Sequence, residues 1–261
     1  MKKFITFIFT LTLPTVLISQ EIEISEALIT DRPDATESPN TVTHKSLQVE
    51  TGIYYISFEE NNNKFENIGY NTTLLRYGLL NNFEVRLGWN FEESRTSIAG
   101  QQGEISNTGF SPILVGMKVA IVEEKGWLPT IGLLGHVYLP YTAPKEDRPE
   151  TTGVDFRFAF GHSVGEKSNI SYNLGAQWGN DSPEAAYIYT LAYGYSITDS
   201  VGFYAEIYGD FPENGSANHY WDTGFTYLIK NNIQLDATVG RGFTQGQDIL
   251  LSAGASFRIP K

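Results

Sequence analysis

From Ser46 to the C-terminus the sequence alternates apolar and polar residues with a period of two. No other feature constrains the fold as tightly, because in an extended strand successive side chains point to opposite faces. In Phe83–Glu92 one face carries Phe83, Val85, Leu87, Trp89 and Phe91 and the other Glu84, Arg86, Gly88, Asn90 and Glu92. In 169–179 Ile170, Tyr172, Leu174, Ala176 and Trp178 oppose Ser171, Asn173, Gly175, Gln177 and Gly179. Each strand therefore meets one apolar and one polar environment. The pattern predicts about twelve strands, at 46–59, 67–80, 83–95, 108–123, 127–140, 152–164, 169–180, 185–197, 200–212, 219–230, 233–244 and 247–258.

The links between these segments alternate in character. Asn81-Asn82, Glu124-Lys125-Gly126, 165–168, Thr198-Asp199 and Asn231-Asn232 are short and rich in turn formers. Longer polar links fall between them at 60–66, 96–107, 141–151, 181–184 and 212–218, with the brief Gln245-Gly246 as an exception. An up-and-down barrel gives this alternation, one rim of tight turns and one of loops, with both chain ends on the tight-turn rim. A two-sheet sandwich would bury the same faces. The apolar face is large and aromatic, with Trp89, Phe91, Trp178, Tyr187, Tyr195 and Trp221 near strand ends, where a bilayer interface favours such rings. The one outward charge, Arg241, lies near a strand end. The last strand is amphipathic and closes on Phe257, as outer-membrane barrel strands do, with the tail 258–261 as a departure.

The N-terminus supports the barrel over the sandwich. Met1-Lys2-Lys3 precedes an apolar run from Phe4 to Ile18, too short to span a bilayer comfortably and broken by Pro14. This is a secretory pattern, with cleavage expected at Ser19–Gln20. Loss of Lys2 and Lys3 takes the net charge from −12 to −14. The expected organisation is a signal peptide at 1–19, a polar arm or plug at 20–45 and an outer-membrane barrel at 46–261. The arm holds Pro33 and Pro39 and lacks either period, so it is not helical. Its Asp31, Arg32, Asp34 and Glu37 are candidates to pair with buried charges, or equally to be solvated in a disordered leader.

Composition removes several functions. With no cysteine there is no disulfide, Cys-bound metal or lipid-anchored N-terminus. An excess of 30 acidic over 18 basic residues argues against nucleic acid as a partner. The histidines His44, His136, His162 and His219 form no metal-binding spacing. His162 and Ser163 are adjacent and face opposite sides of a strand, so they cannot act as base and nucleophile. We expect no enzyme activity, catalytic residue, metal or cofactor.

The run from Thr30 to Pro39 (TDRPDATESP), then Leu47-Gln48-Val49-Glu50-Thr51-Gly52 and 71–79 (NTTLLRYGL), resembles the outer-membrane transporters of the phenol meta-degradation superfamily. The resemblance implies an exported β-barrel and passage of aromatic compounds, and carries no catalytic residues. The chain is thus expected to be an all-β, up-and-down antiparallel transmembrane β-barrel of about twelve strands with an N-terminal arm. Its expected place is the outer membrane of a Gram-negative-type bacterium. Its expected partners are outer-membrane lipid, the barrel assembly machinery and small solutes, hydrophobic or aromatic ones among them, that pass passively. The alternative is a sealed structural or receptor barrel without transport. The inward charged positions Glu50, Arg76, Glu84, Arg86, Lys118, His136, Asp155, Arg157, Glu206, Asp210, Asp222 and Asp236 are candidate lumen-lining residues. They either select solutes or fill a narrow barrel with cross-strand ion pairs.

Overall fold

The computed structural model describes residues 26–143, 148–179 and 181–259. The signal peptide and cleavage site expected at the N-terminus, and residues 20–25 of the expected arm, lie outside them. Thirteen antiparallel strands are described: β1 (Leu47–Glu60), β2 (Asn63–Leu80), β3 (Phe83–Ser97), β4 (Ile105–Phe110), β5 (Ile113–Val122), β6 (Thr130–Leu139), β7 (Gly153–Val164), β8 (Ser168–Trp178), β9 (Ala185–Ser196), β10 (Val201–Pro212), β11 (Asn218–Lys230), β12 (Ile233–Gly242) and β13 (Ile249–Ile259). Each pairs with its sequence neighbour, β3 continues to β5, and β1 pairs with β13 to close the ring. Twelve staves make the barrel, and β4 pairs with β3 alone among the strands.

The expected strand 108–123 is two strands. Pro112 has no N–H to donate, so the ladder breaks at Ser111-Pro112. Phe83–Gly88 of β3 pairs with β5, and Phe91–Thr96 with β4. The expected link 60–66 is a two-residue turn. Asn61 and Asn62 both adopt positive φ, 51° and 63°, which suits a tight hairpin. The strands around it therefore run further than the polar composition suggested. Pro129 delays β6 to Thr130. Leu47 lies opposite Ile259, so both ends of the barrel chain sit on the tight-turn rim.

Burial alternates in the reverse sense to a water-soluble protein. In β12 Gln234, Asp236, Thr238 and Gly240 are buried, while Leu235, Ala237, Val239 and Arg241 are exposed. Leu235 and Val239 are 43% and 44% exposed, whereas Arg76, Glu84 and Lys118 are 0% exposed. A surface this apolar around a charged interior needs lipid, not water, as its outer solvent. At the loop rim Tyr70, Phe91 and Phe110 form a contiguous aromatic row, and just beyond it Glu93 is bound by Arg95 and Tyr70. This change from rings to ion pairs marks the bilayer boundary on that side. A charge below it is costly. Leu87→Arg, on the lipid face of β3, should lower unfolding free energy in phospholipid vesicles by about 2–4 kcal/mol, whereas Arg241→Leu should change it by about 0–1 kcal/mol.

Candidate functional site

Residues 28–45 enter the barrel from the tight-turn rim and return to it. Leu28 N–H donates to the Asn231 carbonyl in one turn, and Lys45 N–H donates to Gly78 O near the end of β2. Between these points the arm bonds inward side chains from β1, β2, β3, β5, β7, β8, β9, β10, β12 and β13. Contacts on all sides of the ring place it in the lumen.

Inward glycines make its bed. A side chain at Gly78 would strike the Val42 and Thr43 carbonyls, at 2.5 and 2.3 Å from its Cβ. One at Gly132 would lie 2.5 Å from Pro39 O. Gly52 and Gly254 lie opposite each other on β1 and β13 and leave room for the Arg32 guanidinium.

The hub is Asp31. Its Oδ2 lies 2.7 Å from Arg86 Nη2, 2.8 Å from Lys118 Nζ and 3.1 Å from Arg76 Nη1. Its Oδ1 accepts from Lys118 Nζ and from Ser38 N–H. Glu37 adds a second carboxylate, with Oε2 2.9 Å from Arg86 Nη2 and 3.5 Å from Lys118 Nζ. Arg76 forks onto Glu84 through Nε and Nη2, at 2.9 and 3.0 Å, and donates Nη1 to Glu50 at 2.8 Å. Glu50 also accepts from Asp31 N–H, and Glu84 from Val42 N–H. Arg86 donates to His136 Nε2 at 2.9 Å. Arginine has no acceptor, so this nitrogen is unprotonated and Nδ1–H donates to Asp155 at 3.0 Å. This buried network is held by pairing, although Glu37 Oε2 and Arg86 Nε make no hydrogen bond among the described residues; removing one partner of a buried pair costs about 3–5 kcal/mol.

The arm meets the opposite wall differently. Arg32 Nη2 lies 2.9 Å from Asp236 Oδ1 and donates to Ser252 Oγ. Glu206 accepts from Ala35 N–H and from the Thr36 hydroxyl. Asp222 lies opposite Glu206 on the next strand, and its buried Oδ1 has no hydrogen-bond partner among the described residues. Asn173 takes Glu37 N–H and gives Nδ2 to Glu37 O, and Arg157 donates to Ala35 O.

Of the twelve inward positions singled out from sequence, Glu50, Arg76, Glu84, Arg86, Lys118, His136 and Asp155 form one connected cluster. Glu206, Asp222, Asp236 and Arg157 bind or face the arm. Asp210 stands apart, accepting from Asn218. Sequence reasoning missed Gln48, Asn173, Thr190, Gln234 and Arg258, all buried and inward. It also assigned tyrosine to the outer wall, whereas Tyr138 donates inside to Asp155, and Tyr204 bonds Thr238 there. Their place in the period-two pattern was the available signal.

The arm leaves a cavity on each side. Toward the loop rim lies one of ≈ 410 Å³, bounded by Asp31, Arg32, Glu37, Leu74, Leu114 and Tyr138. Toward the tight-turn rim lies one of ≈ 510 Å³, bounded by Thr30, Asp34, Pro39, Asn40, Thr130 and Gln234. Among the described residues no group of three or more His, Asp and Glu could hold a metal ion.

In the arm, withdrawal from water and the nearby Glu206 carboxylate hold the Asp34 carboxyl well above its usual range. A group raised on docking favours the docked arm fully below its free pKa and loses that contribution as pH climbs through the docked value. Asp34 should therefore hold the arm more weakly as pH rises from acid to alkaline, read as faster amide exchange in residues 28–45, and Asp34→Asn should remove that component.

A family model described as "Putative MetA-pathway of phenol degradation" matches residues 30–259. The structure is similar to an outer membrane channel from Pseudomonas putida F1, with TM-score 0.64 and 14% identity over 87% of this chain and 100% of that one. It is also similar to the translocator domain of the autotransporter NalP from Neisseria meningitidis, with TM-score 0.55 and 11% identity over 84% of this chain and 90% of that one. The CymD monoaromatic hydrocarbon channel gives TM-score 0.50 and 8% identity, again over 84% and 90%. At such identities the likeness is one of fold. No curated protein matches the sequence.

Proposed function

The chain belongs to the family described as "Putative MetA-pathway of phenol degradation", and from this premise we propose that it is a passive outer-membrane channel for small solutes, hydrophobic and aromatic ones among them. One observation carries the reading. The lumen is not filled by the wall's own side chains: its middle is occupied by a segment tethered at one rim, with a cavity above and below it. A wall built only for strength would meet its own charges across neighbouring strands. Here Arg76 does find Glu50 and Glu84, but among the described residues Lys118 and Asp236 find ion pairs only with Asp31, Glu37 and Arg32, on a segment that can leave without breaking a strand. Similarity to outer membrane channels, one of them a monoaromatic hydrocarbon channel, supports the same reading.

In this reading the docked arm is the closed state. Export by a signal peptide at 1–19, residence in the outer membrane and insertion by barrel assembly machinery, which would engage the amphipathic β13, complete it. Purified protein in planar bilayers should give discrete current steps. A folded, heat-modifiable protein that stays silent at every voltage and pH would overturn the channel and favour a sealed structural or receptor barrel, a reading to which the density of arm contacts lends weight.

A further inference from the structure

Three lumen cations gather on one wall, where Glu50 and Glu84 already pair with Arg76, and three anions gather on another. Arg76, Arg86 and Lys118 lie on β2, β3 and β5, three consecutive staves. Glu206, Asp222 and Asp236 lie on β10, β11 and β12, also consecutive and across the lumen, β10 and β11 standing six staves from β3 and β5 in a ring of twelve. Successive residues of the arm answer this field: Asp31 binds the cationic wall and Arg32 the anionic wall. Among the described residues Lys118 has ion pairs only with Asp31 and Glu37, and Asp236 only with Arg32. Lys118 on one wall and Asp236 on the other are therefore completed by the arm's carboxylates and guanidinium and not by the wall itself. The cavity on the loop-rim side reaches both Asp31 and Arg32 and is walled above them by Leu74, Leu114 and Tyr138.

We propose that this level of the lumen binds small dipolar solutes, bearing a carboxylate and a cationic nitrogen on a compact apolar body, and that Asp31-Arg32 occupies their place in the closed state. The inference rests on the channel reading and names a solute class for it. A solute with one charge satisfies one wall and leaves the other bare. A dipolar one satisfies both, and its apolar body fills the space beside Leu74 and Leu114.

The test uses the full chain carrying Asp31→Asn and Arg32→Gln, which frees both walls, in planar bilayers. Block of the ion current is measured for four molecules of similar size: phenylalanine, phenylpropionate, phenethylamine and phenylpropanol. Phenylalanine should halve the current at about tenfold lower concentration than the other three, the expected gain from complementarity at two charged walls. Adding Lys118→Gln and Asp236→Asn should bring its half-blocking concentration up to theirs. Equal block by all four, or strongest block by a singly charged or neutral one, overturns the proposal. Gly132→Leu, which displaces the arm with every charge retained, provides the same comparison if the first variant does not fold. A folded variant that passes no current instead overturns the channel reading, a result distinct from equal block.

Discussion

Asp31→Ala is expected to undock the arm and convert a mostly closed barrel into a steadily conducting one. The substitution takes a carboxylate from three buried cations, Arg76, Arg86 and Lys118, within 3.1 Å of it. Arg76 keeps Glu50 and Glu84, and Arg86 keeps Glu37 at 2.9 Å, but Lys118 is left with Glu37 Oε2 at 3.5 Å. Leaving buried charge uncompensated costs about 3–5 kcal/mol, or roughly two to four decades in the docked-to-undocked ratio at about 1.4 kcal/mol per decade. The molecule avoids this cost by letting the arm leave, which admits water to the cationic wall. The strand ladder is unaffected, so heat-modifiable gel migration should be retained. Asp31→Asn, which keeps the shape and removes the charge, should also open the barrel. Wild-type closure in either variant would show that the network does not hold the arm.

Gly132→Leu should open the barrel by a route that alters no charge. Its Cβ would stand 2.5 Å from Pro39 O and 3.0 Å from Pro39 Cα. Both belong to backbone, so no side-chain rotation relieves the clash. Overpacking commonly costs about 1–3 kcal/mol, and here the compliant partner is the arm, because the wall strand is held by ladders on both sides. Raised open probability with unchanged heat-modifiable migration is the expected result. Gly135→Leu is the control: Gly135 lies three residues along the same strand on the lipid face, with only Asp155 O near its Cβ, at 3.4 Å. It should leave conductance at the wild-type level. Agreement between Asp31→Ala and Gly132→Leu would identify arm displacement, and not loss of one charge, as the opening event.

Much of the wall was legible because its signals are local. The alternation in Phe83–Glu92 separates Leu87 from Arg86, and the structure puts the first on the lipid face and the second in the interior. The errors were local too. Seven residues at 60–66, six of them polar, read as a loop, but Asn61 and Asn62 both accept positive φ and allow a two-residue turn, so the strands run on through polar sequence above the membrane. Pro112 sat inside an otherwise regular alternation and was read through, although it cannot donate to the ladder.

The site was legible in membership and illegible in pairing. Glu50, Arg76 and Glu84 stood out as inward charges, and cross-strand neighbours were the expected partners. Arg76 does bind both glutamates. The opposite wall gave no such hint: Asp236 meets Arg32 across 204 residues of sequence. Asn173 and Thr190 carried no charge and attracted no attention, yet they hold Glu37 and Thr36.

The sequence by itself determined the class of fold, the sidedness of most strands and the polarity of the two solvents, because a period of two is written residue by residue and lipid tolerates few outward charges. Only the tertiary structure decided that residues 28–45 lie in the lumen, that Asp31 meets Lys118 on one wall and Arg32 meets Asp236 on another, and that these wall charges are paired through the arm. Ring closure sets which strands face each other across the lumen, and an aperiodic arm acquires a place only once that ring exists to receive it.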